Sequence, residues 1–156
     1  MIRVLAVIFC ISPAAVFAQA AGITLGGGAF DANAPVDVTS DSLSLDQASG
    51  TATFDGNVLV VQGDVRMAAS RIEVEYGDAG VSLLKATGGV TFVTPTEAAE
   101  ADAATYVVAD GDAVLTGNVT LKQGQATISG DRLVFDLDSG TGRMEGSVRT
   151  TLGGAN

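Results

Sequence analysis

One phrase of this chain occurs twice, 61 residues apart, and that period restricts the fold more than any other feature. Phe54-Asp55-Gly56-Asn57-Val58-Leu59-Val60-Val61-Gln62-Gly63 returns as Leu115-Thr116-Gly117-Asn118-Val119-Thr120-Leu121-Lys122-Gln123-Gly124. The alignment continues through Met67 and Ile128, Arg71 and Arg132, and Ile72 to Tyr76 against Leu133 to Leu137. It also reaches back to Asp41 and Asp102, Gly50 and Gly111, Ala52 and Ala113. A fixed internal period indicates stacked supersecondary units rather than a fold with one catalytic centre. The unit is strand, turn, strand, so the expected fold is all-β: a stack of antiparallel strands or a folded-over sheet.

Turn-forming groups punctuate the chain at Ala48-Ser49-Gly50, Asp55-Gly56-Asn57, Gln62-Gly63-Asp64, Gly77-Asp78, Gly88-Gly89, Asp110-Gly111-Asp112, Thr116-Gly117-Asn118 and Asp138-Ser139-Gly140. Between them lie short runs rich in Val, Thr, Leu and Ile that alternate apolar with polar, as half-buried strands do. Thr96 to Ala101 is rich in Ala and Glu; it reads as a loop, with strand from about Asp102.

One copy of the repeat resolves the other. Val58-Leu59-Val60-Val61 has no alternation, but Val119-Thr120-Leu121-Lys122 does, which turns Val119 and Leu121 inward. By the same phase Phe54, Val58 and Val60 point inward, with Leu59 and Val61 outward. Ile72, Val74 and Tyr76 then oppose Glu73 and Glu75, and Leu133, Phe135 and Leu137 oppose Asp136. Leu43 and Leu45 alternate with Ser42, Ser44 and Asp46. Arg71 and Arg132 take equivalent outward positions, and they, Lys85, Lys122 and Arg143 read as solvated strand charges.

The first residues are an address. Arg3 precedes an apolar run from Val4 to Ile11, Pro13 breaks it, and Val16-Phe17-Ala18 has small residues where a signal peptidase reads. Residues 1–18 are therefore expected to be a secretory signal and 19–34 a glycine-rich flexible leader. The apolar run is shorter than the ~20 residues a membrane span needs. The single cysteine, Cys10, lies in that signal, so the mature chain has no thiol for a disulfide or a metal.

Composition narrows the function classes. The formal net charge of -10 disfavours nucleic acid, whose phosphates demand Lys and Arg. The absence of histidine removes imidazole bases, Ser-His-Asp triads and histidine metal sites. Gly26-Gly27-Gly28 lacks the spacing of a phosphate loop. Asp110-Gly111-Asp112 and Asp136-Leu137-Asp138 make turns for backbone reasons more readily than they hold calcium. No catalytic residue, metal or cofactor is assigned.

Pro35 to Asp41, then Phe54-Asp55-Gly56-Asn57-Val58, Gln62-Gly63, Ser70-Arg71-Ile72, Leu115-Thr116-Gly117-Asn118-Val119 and Ser129-Gly130-Asp131-Arg132-Leu133 together resemble the OstA-like family of periplasmic lipopolysaccharide transport proteins. The resemblance covers about Pro35 to Thr150. It implies a folded-over, V-shaped β-jellyroll with an apolar interior, here over 35–152, followed by a tail at 153–156. It further implies a non-enzymatic bridge component that shields lipid A acyl chains between the membranes. Its implied partners are LptC-like inner-membrane and LptD-like outer-membrane proteins, with end-to-end self-association by strand addition.

The expected lipid-lining residues are Phe54, Val58, Val60, Ile72, Val74, Tyr76, Val119, Leu121, Leu133, Phe135 and Leu137. The expected docking edges are Val36 and Val38 at one end and Val148 and Leu152 at the other. Roughly 12 strands at about 4.8 Å spacing would give a trough about 55 Å long. Three readings compete: a scaffold of the same fold that binds only proteins, an LptC-like anchored adaptor, and an unrelated β-solenoid with a filled interior.

Overall fold

The computed structural model describes residues 23–24, 34–136 and 139–153. The expected signal, most of the expected leader, Leu137, Asp138 and residues 154–156 lie outside them. Eleven strands follow in chain order: β1 (Ile23–Thr24), β2 (Val36–Thr39), β3 (Ser42–Asp46), β4 (Thr51–Gln62), β5 (Val65–Gly77), β6 (Gly80–Val93), β7 (Glu97–Val107), β8 (Asp112–Gln123), β9 (Ala126–Asp136), β10 (Thr141–Glu145) and β11 (Arg149–Leu152). They form one antiparallel sheet in the order β1-β10-β9-β8-β7-β6-β5-β4-β2, with β11 also on β9 and β3 also on β4. The sheet is all-β and unclosed, as the repeat predicts.

Six central strands are long, and every ladder between them breaks register near its middle: at Asp55/Val58, Ala68/Arg71, Thr87/Val90, Glu100/Ala103 and Thr116/Val119. Bulges bend strands and sharpen their twist. Aligned across the sheet, they form a crease that folds each long strand into two halves. Layer I holds β3, β10, β1 and the halves around Ala52, Ile72, Ala86, Leu115 and Leu133. Layer II holds β2, β11 and the halves around Val58, Ala69, Val90, Val119 and Leu121. Two buried clusters span the fold: Ala52, Ile72, Val74 and Ala86 pack with Val58, Ala69 and Val90, while Leu115 and Leu133 pack with Ala99, Ala101, Val119 and Leu121.

The crease has a recurring chemistry. Gly56 and Asn57 have φ of 79° and 49°, and Gly117 and Asn118 have 78° and 48°. Two successive residues in the left-handed region require glycine and a residue such as asparagine that tolerates it. Opposite them, Asp41 accepts a 2.8 Å hydrogen bond from Asn57 Nδ2, and Asp102 accepts one of the same length from Asn118 Nδ2. The corner also recurs between copies. Ser70 Oγ donates to the Gly88 carbonyl at 2.6 Å, and the Asp131 amide donates to the Gly146 carbonyl at 3.0 Å. Asp41, Ser70, Asp102 and Asp131 are 29, 32 and 29 residues apart, so one 61-residue period contains two corners.

Three expectations change. Asp55-Gly56-Asn57, Gly88-Gly89 and Thr116-Gly117-Asn118 are bends inside continuous strands, not reversals, because the backbone keeps pairing on both sides of them. Thr96 to Ala101 is not a loop: β7 starts at Glu97, and its pairing with β6 and β8 overrides the helical preference of Ala and Glu. Because each long strand serves both layers, one layer is only eight or nine strands wide. The trough is therefore about 35 Å long at ~4.8 Å per strand, not 55 Å.

Candidate functional site: an apolar trough between two folded layers

The pairing register defines which side chains share a face. In layer I one inward row runs Leu43, Phe54, Ile72, Ala86, Ala104, Leu115, Leu133, Met144, all apolar. The facing row of layer II runs Val38, Val60, Met67, Phe92, Ala99, Leu121, Ile128. Each row is made by successive strands contributing one residue of the same phase, so the apolar surface is continuous along the trough.

Of the expected lining, Val58, Ile72, Val74, Val119, Leu121 and Leu133 are buried, the last three at 0% exposure. Phe54 and Val60 are half-buried against the first cluster, and Phe135 against the second. Tyr76 differs: it is 52% exposed, because the ladder slips between Glu75 and Tyr76 and places it at the β5–β6 hairpin, past the reach of the facing layer. Leu137 lies outside the described residues.

Sequence reasoning missed the middle of the trough. Ala86, Val90, Ala99 and Ala101 are buried, and Phe92 packs beside them. None falls within the phrases that repeat. The signal present was Ala99 and Ala101 on alternate positions, which is a strand period.

Among the described residues the inward rows end in exposed apolar side chains. Val36, Leu43 and Leu45 are exposed at the β2/β3 end, and Val148 and Leu152 are exposed at the other. Among the described residues β2 and β3 pair only with β4, and β11 only with β9, so each offers an unpaired edge. Leu59 is partly exposed on the outer face of layer II, opposite Thr39.

Charge is placed outside. By register, Arg66, Arg71, Lys85, Lys122, Arg132, Arg143 and Arg149 all project outward. Arg71 pairs with Asp55 at 2.9 Å, Lys85 with Glu75 at 2.7 Å, and Arg132 and Arg143 with Glu145 at 2.8 and 2.9 Å. Such exposed pairs contribute about 0–1 kcal/mol each. The hydrogen bond from Arg132 holds the Glu145 carboxyl below the ordinary glutamate range, and the bond to Glu75 raises Lys85. A shallow depression lined by Ser44, Leu45, Asp46, Ser49, Thr51, Thr53 and Glu73 lies at the β3 edge. Among the described residues no group of three His, Cys, Asp or Glu side chains could hold a metal ion.

This geometry has known counterparts. Residues 37–141 match the family described as LptA/(LptD N-terminal domain) LPS transport protein. The lipopolysaccharide export system protein LptA of Escherichia coli K12 is 32% identical over 114 residues, which are 67% of this chain. The chain spans 61% of that relative's length. The export system protein LptH of Pseudomonas aeruginosa is 24% identical over 132 residues, covering 78% of this chain and 75% of the relative. The crystal structure of the Pseudomonas LptH, described as the LptA-homologous periplasmic component of the lipopolysaccharide transport device, superposes with a TM-score of 0.70 at 18% identity. It covers 78% of this chain and 96% of that one.

Proposed function

Since the chain belongs to the LptA/(LptD N-terminal domain) LPS transport protein family, we propose that it is a periplasmic bridge component carrying lipopolysaccharide from the inner to the outer membrane. The observation that carries this reading is the pair of unbroken apolar rows, which among the described residues end in exposed apolar side chains. Leaving a saturated chain of about 14 carbons in water costs on the order of 10 kcal/mol. A protein that moves such chains through an aqueous compartment must shield them along the whole path, with no chemistry beyond apolar contact. Val58, Ile72, Val119, Leu121, Leu133 and the half-buried Phe54, Val60 and Phe135 supply that contact. Tyr76, at the lip, meets chains as they enter or leave.

One copy about 35 Å long needs others, or partner domains, in series. The open backbone edges of β2 and β11, marked by Val36, Val38, Val148 and Leu152, suit strand addition by LptC-like and LptD-like partners or by a second copy. Residues 1–18 direct export and are removed, which places the mature protein in the periplasm. No catalytic role is assigned.

A second reading rests on a specific observation. Leu121 and Leu133 are fully buried, so without ligand the interior is packed and the layers must part before a chain enters. A scaffold of the same fold that binds only proteins would keep this interior closed. A photo-crosslinking residue at Phe135, with Asp136 as its opposite-face control, separates the two in living cells. A lipopolysaccharide adduct at 135 and none at 136 supports transport. No adduct at 135, with normal export and folding, refutes it in favour of the scaffold.

A further inference from the structure

Along the crease, an aspartate or serine alternates with a glycine from strand to strand. Asp41 stands opposite Gly56, Ser70 opposite Gly88, Asp102 opposite Gly117 and Asp131 opposite Gly146. The series opens on Asp41, between β2 and β3, and closes on Gly146, between β10 and β11. β2 and β3 lead from the layer II lip to the layer I lip, while β10 and β11 lead back. The first pair of a second copy, laid beside β10 and β11, is therefore antiparallel to them and sets its Asp41 against Gly146. That match fixes the register, with the one-residue shift that every ladder makes at the crease. In layer I, Leu43 falls opposite Met144 and Leu45 opposite Gly142; in layer II, Val36 falls opposite Leu152. Val36, Leu43, Leu45 and Leu152, all exposed in the single copy, thus gain neighbours on the inward face. On the outer face Arg149 comes diagonal to Asp37, opposite charges within reach across the joint.

Part of that joint is already occupied. β1 pairs antiparallel with β10, Ile23 opposite Gly142 and Thr24 opposite Thr141, so it runs in the direction of the incoming β3. Its two residues hold the register positions that Leu45 and Asp46 of the second copy would take. Resting on the end-to-end association read above, we propose that β1 is an intramolecular cap that β3 of a second copy must displace before two copies join. The segments match in chemistry, since Ile23-Thr24-Leu25 has the same apolar, hydroxyl, apolar order as Leu43-Ser44-Leu45. The cap covers only half of the joint. Among the described residues β11 is open on its outer side, and the pairing of β1 on β10 stops at Gly142. An incoming strand starts at Arg143 to Glu145, beside the corner, and peels β1 off toward the lip. It exchanges two residue pairs for the whole five-residue length of β10. The cap thereby holds dilute chains apart and yields where copies are concentrated.

The test locks or loosens the cap in purified residues 19–156, which contain no cysteine of their own. Thr24→Cys with Thr141→Cys lets oxidation tie β1 to β10. Directly opposed antiparallel residues have Cα atoms about 4.5–5.5 Å apart, inside the ~4.4–6.8 Å range of disulfides. Sedimentation equilibrium reads self-association, and circular dichroism certifies the fold of each form. The oxidised protein should carry the cross-link within one chain and associate at least roughly tenfold more weakly than when reduced. Ile23→Gly with Thr24→Gly, which disfavours the strand, should associate roughly fivefold more tightly than wild type, because the capped fraction no longer lowers the apparent affinity. Equal association of the oxidised and reduced forms overturns the proposal, as does unchanged or weaker association of the glycine variant. A cross-link that fails to form, or forms only between chains, overturns it as well. If no form associates at any concentration, the end-to-end reading is refuted, and this inference with it.

Discussion

Gly117→Ala should be far more damaging than its half-buried position suggests, because two separate costs meet there. The first is backbone: a φ of 78° costs an L-residue about 1–2 kcal/mol. The second is contact: a Cβ at Gly117 would lie 2.8 Å from Asp102 Cβ and closer still to its carboxylate. Asp102 must then leave the corner and give up Asn118, a bond contributing about 1 kcal/mol at this exposed site. The sum is about 2–3 kcal/mol. Gly124→Ala is the control, since Gly124 has a φ of 57° and a methyl group there would meet nothing within 4 Å; only the backbone cost of about 1–2 kcal/mol applies. Asp102→Gly removes the three atoms nearest to the new methyl at Gly117. In that background Gly117→Ala should fall to the backbone cost alone, a coupling of about 1 kcal/mol in a double-mutant cycle. Urea denaturation of the four proteins measures it. Equal costs at Gly117 and Gly124, or strict additivity with Asp102→Gly, would refute this account of the crease.

Leu121→Ala, which empties a fully buried position, should destabilise the unliganded protein by about 3 kcal/mol, and saturating lipopolysaccharide should restore part of that loss in the same melt. Arg132→Gln should raise the Glu145 carboxyl toward the ordinary glutamate range, read by NMR titration. Because that carboxyl is depressed in the folded protein, its stabilising contribution is present above the unfolded glutamate pKa and is lost as pH falls through the folded value; the variant's stability should therefore depend less on pH in that acid window. Thr150→Pro should weaken end-to-end association without large loss of monomer stability, since Thr150 belongs to edge strand β11 opposite Ile128; unchanged association by sedimentation would show that β11 is not a docking edge.

The inward faces were legible where the two copies could be compared. Val119 and Leu121 alternate with Thr120 and Lys122, and that phase carries over to Val58 and Val60, where Leu59 and Val61 hide it. Tyr76 continued the phase of Val74 in sequence, yet a register slip at the hairpin carried it into solvent. The middle strands had no second copy to read against. Ala98 to Ala101 has helical propensity, and only pairing on both sides made it a strand.

What the amino-acid order determined by itself was local and periodic: strand-forming alternation, the 61-residue repeat, the absence of imidazole, and a single thiol at Cys10. Those depend on residue type and spacing alone. What the tertiary structure decided was the meaning of Gly-Asn. In sequence it marks a reversal, since its left-handed backbone suits a hairpin turn. Here Asp41 and Asp102, 16 residues upstream of Asn57 and Asn118, hold the same backbone as a bend within a continuing strand. Long-range contacts of this kind turn a row of turn signals into one crease, and the crease brings two apolar faces together as a trough.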